Sequence, residues 1–361
     1  MNSLTSAASL REHFDRIVLP LWRGPGFNAE LRLPYEALDA AGAKPLPVTR
    51  YRAMACARQL FVFSEAGDAA HAHTLFETLR HTYQDRAHGG WFYSVDATGA
   101  PLDTTKDLYT HAFVVFASAA YGQRFGATEA LELARATSSL IVERFAARDG
   151  LFNAALDAPF ASVTAGPLQN PLMHLTEAWL AASEATGDSA FDTAITRLVE
   201  ALARGFLHEP TGCIAELPIG AADNRLEPGH QFEWFWLASR AGARLGGSGL
   251  DAALARAFTF AVKHGVDPEN GGVAAALDEH GRVIDATQRI WAQTEYLRAL
   301  ATHGDAAVRA ALEPQIGRFA PRFLTPQGWV ECRGANGEVT RADMPSTTPY
   351  HLLTAYKGMG I

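Results

Sequence analysis

Three cysteines, Cys56, Cys213 and Cys332, are spread over 361 residues without a CxxC pair. That excludes a disulfide framework and suits a reducing compartment, so a cytoplasmic location is expected. Charge is sparse: 19% of residues are charged, below the globular norm of about 25%. A thick interior lined with Ala and Leu would account for it. The balance is -8 and no basic run stands out, which argues against a nucleic-acid partner. No window of roughly eighteen apolar residues occurs, so no membrane span is expected. Linkers rich in Pro, Ser and Gly are missing, as is a glycine-rich nucleotide loop after a strand. The opening segment MNSLTSAASLREHFDRIVLP carries Arg11 and Glu12 where a signal peptide would have its apolar core. It predicts a capped first helix instead.

What is present is a repeat. A glycine followed by an apolar or aromatic residue returns about every sixty positions. The instances are Gly26-Phe27, Gly90-Trp91, Gly150-Leu151, Gly212-Cys213, Gly272-Val273 and Gly328-Trp329. Their tails are alike, as in GGWFYSVDATG and GGVAAALDEHG. A unit of this length holds a helix pair and a short extended excursion. Helix pairs with one apolar face must stack to bury it. Six pairs can close into a double ring. The expected fold is all-α: an (α/α)6 barrel with short β-hairpin loops, one catalytic domain over 1–361. An open solenoid is the alternative, because periodicity alone does not show closure.

Apolar residues recur at helical spacing over 48–63, 108–121, 170–184, 231–245 and 290–302. Pro171 and Pro228 suit opening turns. Polar side chains at the starts of inner helices would point into the mouth of the ring. The sharpest such signal is EPGHQFEWFWLASR, residues 227–240. His230 and Glu233 share a helical face within an otherwise apolar helix. A buried imidazole and carboxylate need partners or a task. A structural His–Glu pair is the plainer alternative. Zinc is weaker, since Trp234 stands where a second histidine would be, and HExxH and HxxEH are absent.

Asn170, His174 and Glu177 share a face of the third such helix. Arg58, in CARQLFVF, has no evident surface to occupy. His351 lies in MPSTTPYHLLTAY of the sixth unit, which in a closed ring lies beside the first, so it would face Arg58. Tyr109, Tyr350, Trp234 and Trp291 are close to these polar groups. Aromatic faces beside hydrogen-bonding groups suit a sugar. Arg289, Gln293 and Glu295 in QRIWAQTEYLRAL add candidate donors and acceptors. Of the early histidines only His111, in DLYTHAF, points inward; His71, His73, His81 and His88 read as surface or loop residues.

ARQLFVFS, NPLMHLTEA, PGHQFEWFWL, QRIWAQTEYLRAL and TPYHL together resemble, in order, the motifs of the N-acylglucosamine 2-epimerase superfamily. It includes mannose, sulfoquinovose and cellobiose-converting members, and the resemblance spans nearly the whole chain. It implies an (α/α)6 barrel, agreeing with the repeat. It also implies catalytic roles for Arg58, His174, His230, Glu233 and His351. Asn170, Glu177, Arg225, Trp291, Gln293, Tyr109 and His111 would bind substrate. One position departs from the cellobiose 2-epimerases: Ser346 stands where they have a tryptophan. The tail is more similar to that of the monosaccharide isomerases.

The resemblance implies reversible conversion of free D-mannose to D-fructose through an enediol, with no metal or other cofactor and a monomer or homodimer. His351 would be the base at C2 and His230 the ring-opening acid/base, an assignment open to reversal. Glu233 would hold the tautomer of His230, and Arg58 and His174 would stabilise the enediolate oxygen. The alternative is 2-epimerisation. An inverting glycoside hydrolase using Glu177 and Glu233, or a non-catalytic scaffold, carry less weight.

Overall fold

The computed structural model describes residues 6–245 and 248–361. Helix dominates it. Six helices line the interior: α1 (Ala53–Glu65), α2 (Leu108–Phe125), α3 (Gln169–Thr186), α4 (Pro228–Ala241), α5 (Ile290–Thr302) and α6 (Thr348–Gly358). Each packs on the next, and α6 packs back on α1, so this inner layer closes. α1 shows why: every residue from Ala53 to Ser64 is buried, leaving no solvent face.

An outer layer covers the ring. Ala69–Thr78 packs on α1, Thr128–Arg144 on α2, Ser189–Phe206 on α3, Leu250–Gly265 on α4 and Leu312–Phe323 on α5. These helices are amphipathic. Ser189–Phe206 buries Phe191, Ile195, Leu198, Val199 and Leu202, a single stripe at the helical period. The first helix, Ala7–His13, is capped by Ser6 and packs on α6. The first and last of the described helices therefore meet. No helix among the described residues is long and apolar enough to cross a membrane.

The excursions are short antiparallel ladders. Phe27–Asn28 pairs Leu33–Pro34, Leu207–His208 pairs Cys213–Ile214, and Leu324–Thr325 pairs Gly328–Trp329. Others cross between units: Tyr51–Arg52 pairs Ser94–Val95, and Met344–Pro345 pairs Ala37–Leu38, a second tie between last unit and first. Gly90 shows why the repeat keeps glycine. Its φ is 70°, and a Cβ there would lie 2.6 Å from the His111 ring. Gly212, at φ 77°, would bring a Cβ within 2.2 Å of the Ala253 carbonyl oxygen.

Two helix starts differ from those read off the sequence. Helix does not begin at 48: Tyr51–Arg52 is strand, because Glu36 takes the Arg52 backbone N–H at 2.7 Å and its guanidinium at 2.6 Å. The stretch over 231–245 starts earlier, at Pro228, and ends at Ala241, where Gly242 breaks it.

Candidate active site

Where the inner helices begin, a cavity of about 230 Å³ opens among their first turns. Arg58, Tyr109, Asn170, His174, Arg225, His230, Glu233, Trp291 and His351, scattered over the sequence, all line it. Ring closure alone brings them together.

His230 is the third residue of α4, and side chains there lean toward the helix N-terminus. Its Nδ1 therefore reaches back to Glu216, lying 2.7 Å from Oε1. Gln169 supports the same carboxylate from 3.1 Å, and the Trp234 indole N–H, 2.8 Å from the Gln169 oxygen, fixes that amide's orientation. Burial opposes charge on His230, but the carboxylates of Glu216 and Glu227 outweigh it and raise its pKa to about 9. The ring is an imidazolium near neutrality. This corrects the expected pairing with Glu233. One turn further down, Glu233 instead faces His174 at 3.9 Å and Arg298 at 3.6 Å.

His351 is driven the other way. Its Nδ1 sits 2.9 Å from Glu295 Oε1, on the neighbouring α5. Burial, and then the positive charge of Arg58, hold its pKa well below the usual histidine range. It is a neutral base with Nδ1 occupied. Arg298, wholly buried, lies 2.5 Å from the other Glu295 oxygen and stacks on Trp236 at 3.8 Å. Burial pushes Glu295 up, and Arg298 pulls against it.

Trp291 stands between the histidines. Its ring is 4.9 Å from that of His230 and 5.7 Å from that of His351. It forms a flat wall with an acid near one end and a base near the other.

Arg58 has no carboxylate within ion-pair reach among the described residues. It is 4% exposed, stacked on Phe113 at 4.3 Å and Tyr350 at 4.7 Å, and donates to the Tyr109 hydroxyl at 2.6 Å. A guanidinium held by rings keeps its charge available to a ligand oxygen. His174 packs edge-on against Tyr109 at 4.8 Å. Its Nδ1 contacts Glu177 at 3.2 Å, and the same Glu177 oxygen accepts from the Tyr350 hydroxyl. The Asn170 side-chain oxygen Oδ1 is buried and unbonded among the described residues. Arg225 is at the rim, 2.8 Å from Glu227.

Three residues expected at the substrate, Gln293, His111 and Glu177, are elsewhere. Gln293 spends its amide on the backbone of Val273, accepting from N–H at 2.8 Å and donating to the carbonyl at 3.0 Å. Gln231, on α4, does the same at Ile214. His111 receives the Trp91 N–H at 3.1 Å on Nε2 and donates from Nδ1 to the Asp107 carbonyl at 2.7 Å. Complete burial pushes its pKa down to about 3, so it stays neutral. Gln293, Gln231 and His111 are clamps between an inner helix and a glycine-marked excursion. Glu177 lies below the cavity floor, behind His174.

Sequence reasoning passes over Glu216, Gln169, Arg298, Glu331 and Thr348. A signal exists: Glu216 in CIAEL and Glu331 in WVEC are lone acids inside apolar extended runs. Two clusters, His174–Glu177–Glu233 and Glu216–Glu227–His230, bring donor atoms within 4.8 Å of one another. In the first, the Arg298 guanidinium already stands beside Glu233. In the second, the protonated His230 competes as the cation.

A model of the family described as N-acylglucosamine 2-epimerase (GlcNAc 2-epimerase) matches residues 35–355. A mannose-6-phosphate isomerase of Rhizobium meliloti (strain 1021) is 30% identical over 393 aligned positions, covering 97% of this chain and 95% of the relative. A solved D-mannose isomerase superposes with a TM-score of 0.87 at 19% identity, over 99% of both chains. A cellobiose 2-epimerase from Bacillus thermoamylovorans B4167 superposes with a TM-score of 0.88 at 18% identity, over 98% of both. The structural likenesses concern the fold.

Proposed function

The chain belongs to the N-acylglucosamine 2-epimerase family and is an isomerase-type enzyme acting on sugars; from that premise we propose that it interconverts an aldose of the mannose type and its ketose through an enediol, in one catalytic domain over 1–361. The observation that carries this reading is the pair of histidines flanking Trp291 with opposite proton affinities. Two titratable groups pushed apart by their surroundings are suited to be acid and base.

The His230 imidazolium donates its Nε2 proton to the ring oxygen as the C1–O bond to it breaks, and the imidazole so formed takes up the proton that the anomeric O1–H gives up as the C1 carbonyl forms. His351, neutral, takes the C2 proton on Nε2. The C–H electron pair enters the C1–C2 bond, and negative charge builds on O1. Arg58 and His174 face that oxygen and stabilise it. Asn170, Glu233 and Arg225 hold hydroxyls, and Trp291 packs against the sugar's C–H face. For the ketose, His351 returns the proton to C1 while the O2 proton passes to O1.

Epimerisation at C2 is a second reading with support of its own. It needs an acid and a base on opposite faces of C2, which His230 and His351 across Trp291 would also provide. The family's description favours it, and by number the curated relatives lean that way. The full-length isomerase relative and Ser346, which is wholly buried and too small for a stacking platform, favour the ketose. The test is incubation with mannose, glucose, N-acetylglucosamine and cellobiose in deuterated water, read by NMR. Ketose with deuterium at C1 supports isomerisation. A 2-epimer without ketose establishes epimerisation. Absence of any C2 exchange removes both.

A further inference from the structure

Behind the floor of the catalytic cavity, a layer of buried charge crosses the axis of the ring. Its carboxylates come from three neighbouring inner helices: Glu177 on α3, Glu233 on α4 and Glu295 on α5. None is more than 4% exposed. Arg298, one turn after Glu295 on α5, is wholly buried among them. Its guanidinium is 2.5 Å from Oε2 of Glu295 and 3.6 Å from Oε1 of Glu233. It is not among the residues that line the cavity, so it does not touch a bound sugar.

The fold makes room for this cation. The Trp236 ring covers it at 3.8 Å. Gly358, at the end of α6, leaves space for its stem, since a Cβ there would lie 2.7 Å from Arg298 Cγ. The Arg298 Nε and Nη1 have no hydrogen-bond partner among the described residues. What Arg298 supplies here is charge more than hydrogen bonds, and a buried charge needs a partner or a task.

That charge bears on His351 through one carboxylate. Oε1 of Glu295 is 2.9 Å from His351 Nδ1, while Oε2 faces Arg298. Two hydrogen placements fit the contact. An ionised Glu295 accepts from Nδ1–H, which leaves the lone pair on Nε2. A protonated Glu295 donates to Nδ1, which puts the imidazole hydrogen on Nε2 and removes the base. The groups facing Glu295 pull in opposite directions. Burial favours the protonated carboxyl, Arg298 opposes it, and the negative charges of Glu233 and Glu177 side with burial. His351 is also faced by Arg58 on α1, His174 on α3, Arg289 ahead of α5 and the adjoining Tyr350 ring. None of these is within hydrogen-bond or ion-pair reach of the Glu295 carboxylate among the described residues.

We propose that Arg298 is a positioning residue for the C2 base: by holding Glu295 ionised, it places the imidazole hydrogen of His351 on Nδ1 and the lone pair on Nε2. The role rests on the reading of His351 as the base, but the hydrogen placement can be measured without turnover.

Nitrogen NMR of the labelled, substrate-free protein distinguishes the two tautomers, with the His351 signals assigned by their loss in His351→Gln. Near neutral pH, wild type is expected to carry the hydrogen on Nδ1. Arg298→Met should carry it on Nε2, and should return to Nδ1 as rising pH ionises Glu295. Arg298→Lys, which keeps a cation, should keep the wild-type tautomer. The kinetics should follow. Arg298→Met should lower kcat near neutrality by at least about 10²-fold with KM held, and recover as pH rises. A hydrogen on Nε2 in wild type overturns the proposal, whether or not Arg298→Met folds. So does a tautomer shared by wild type and Arg298→Met, or a loss of kcat that no rise in pH restores. Wild type with the Nδ1 hydrogen but no C2 exchange on any sugar would keep Arg298 as the group that sets the tautomer and remove the C1–C2 reading instead.

Discussion

His230 Nδ1 lies 2.7 Å from Oε1 of Glu216, a residue of the loop following the Cys213–Ile214 strand and not of the helix that carries the histidine. Removing that carboxylate disfavours the imidazolium, so Glu216→Gln should lower the His230 pKa from about 9. The wild-type kcat/KM should fall on the basic side near pH 9, as His230 loses its proton. Its acid limb should lie below 6.5, where His351 becomes protonated. In Glu216→Gln the basic limb moves to lower pH. Glu233→Gln should move it less, because Glu216 and Glu227 act on His230 more strongly. Basic limbs that coincide in wild type and Glu216→Gln would show that His230 is not the acid.

The same linkage reaches stability. A histidine with a raised folded pKa adds stability that is complete below its unfolded pKa of about 6.5 and is lost as pH rises through the folded value. Urea denaturation should therefore separate wild type from Glu216→Gln most at about pH 6, with the gap closing as pH passes about 9. A gap that widens with pH contradicts the assignment.

Arg58→Gln should lower kcat by about 10²–10³ with little change in KM, since its charge acts on an oxygen that becomes negative only during reaction. Steady-state kinetics on a variant with unaltered circular dichroism decide it. A pure KM effect would make Arg58 a ground-state binder.

Gln293→Ala should destabilise the fold by about 1–3 kcal/mol, the cost of leaving buried backbone groups of Val273 unbonded, while the sugar KM holds. A raised KM without lost stability would return Gln293 to the substrate site.

Much of this arrangement is legible in the chain. The recurring glycine marks the six units, and buried polar residues at the starts of all-apolar helices mark the mouth. His230, His351, Arg58, His174 and Trp291 stand out in this way, because a helix without a solvent face buries a charged group only where a partner or a ligand meets it. What stays hidden is pairing. A shared helical face suggests Glu233 for His230, yet the side chain leans back to a loop whose nearness depends on the whole fold. Gln293 and His111 show the converse. Their polarity is spent on backbone groups of the excursions, and a sequence does not distinguish a clamp from a ligand contact.

Metal dependence offers a separate check. Exhaustive chelation and dialysis should leave turnover intact, because the acid–base scheme uses only side chains. Activity lost on chelation and restored by a divalent ion would redirect attention to the His174–Glu177–Glu233 cluster.

The central claim is that His351 removes the C2 proton. It is tested most directly with a hexose deuterated at C2, by NMR, comparing wild type and a folded His351→Gln in ordinary water. The account predicts loss of the C2 deuterium with wild type and retention with the variant, a rate ratio of about 10²–10⁴. Exchange at a comparable rate in His351→Gln would contradict it and pass the base role to His230.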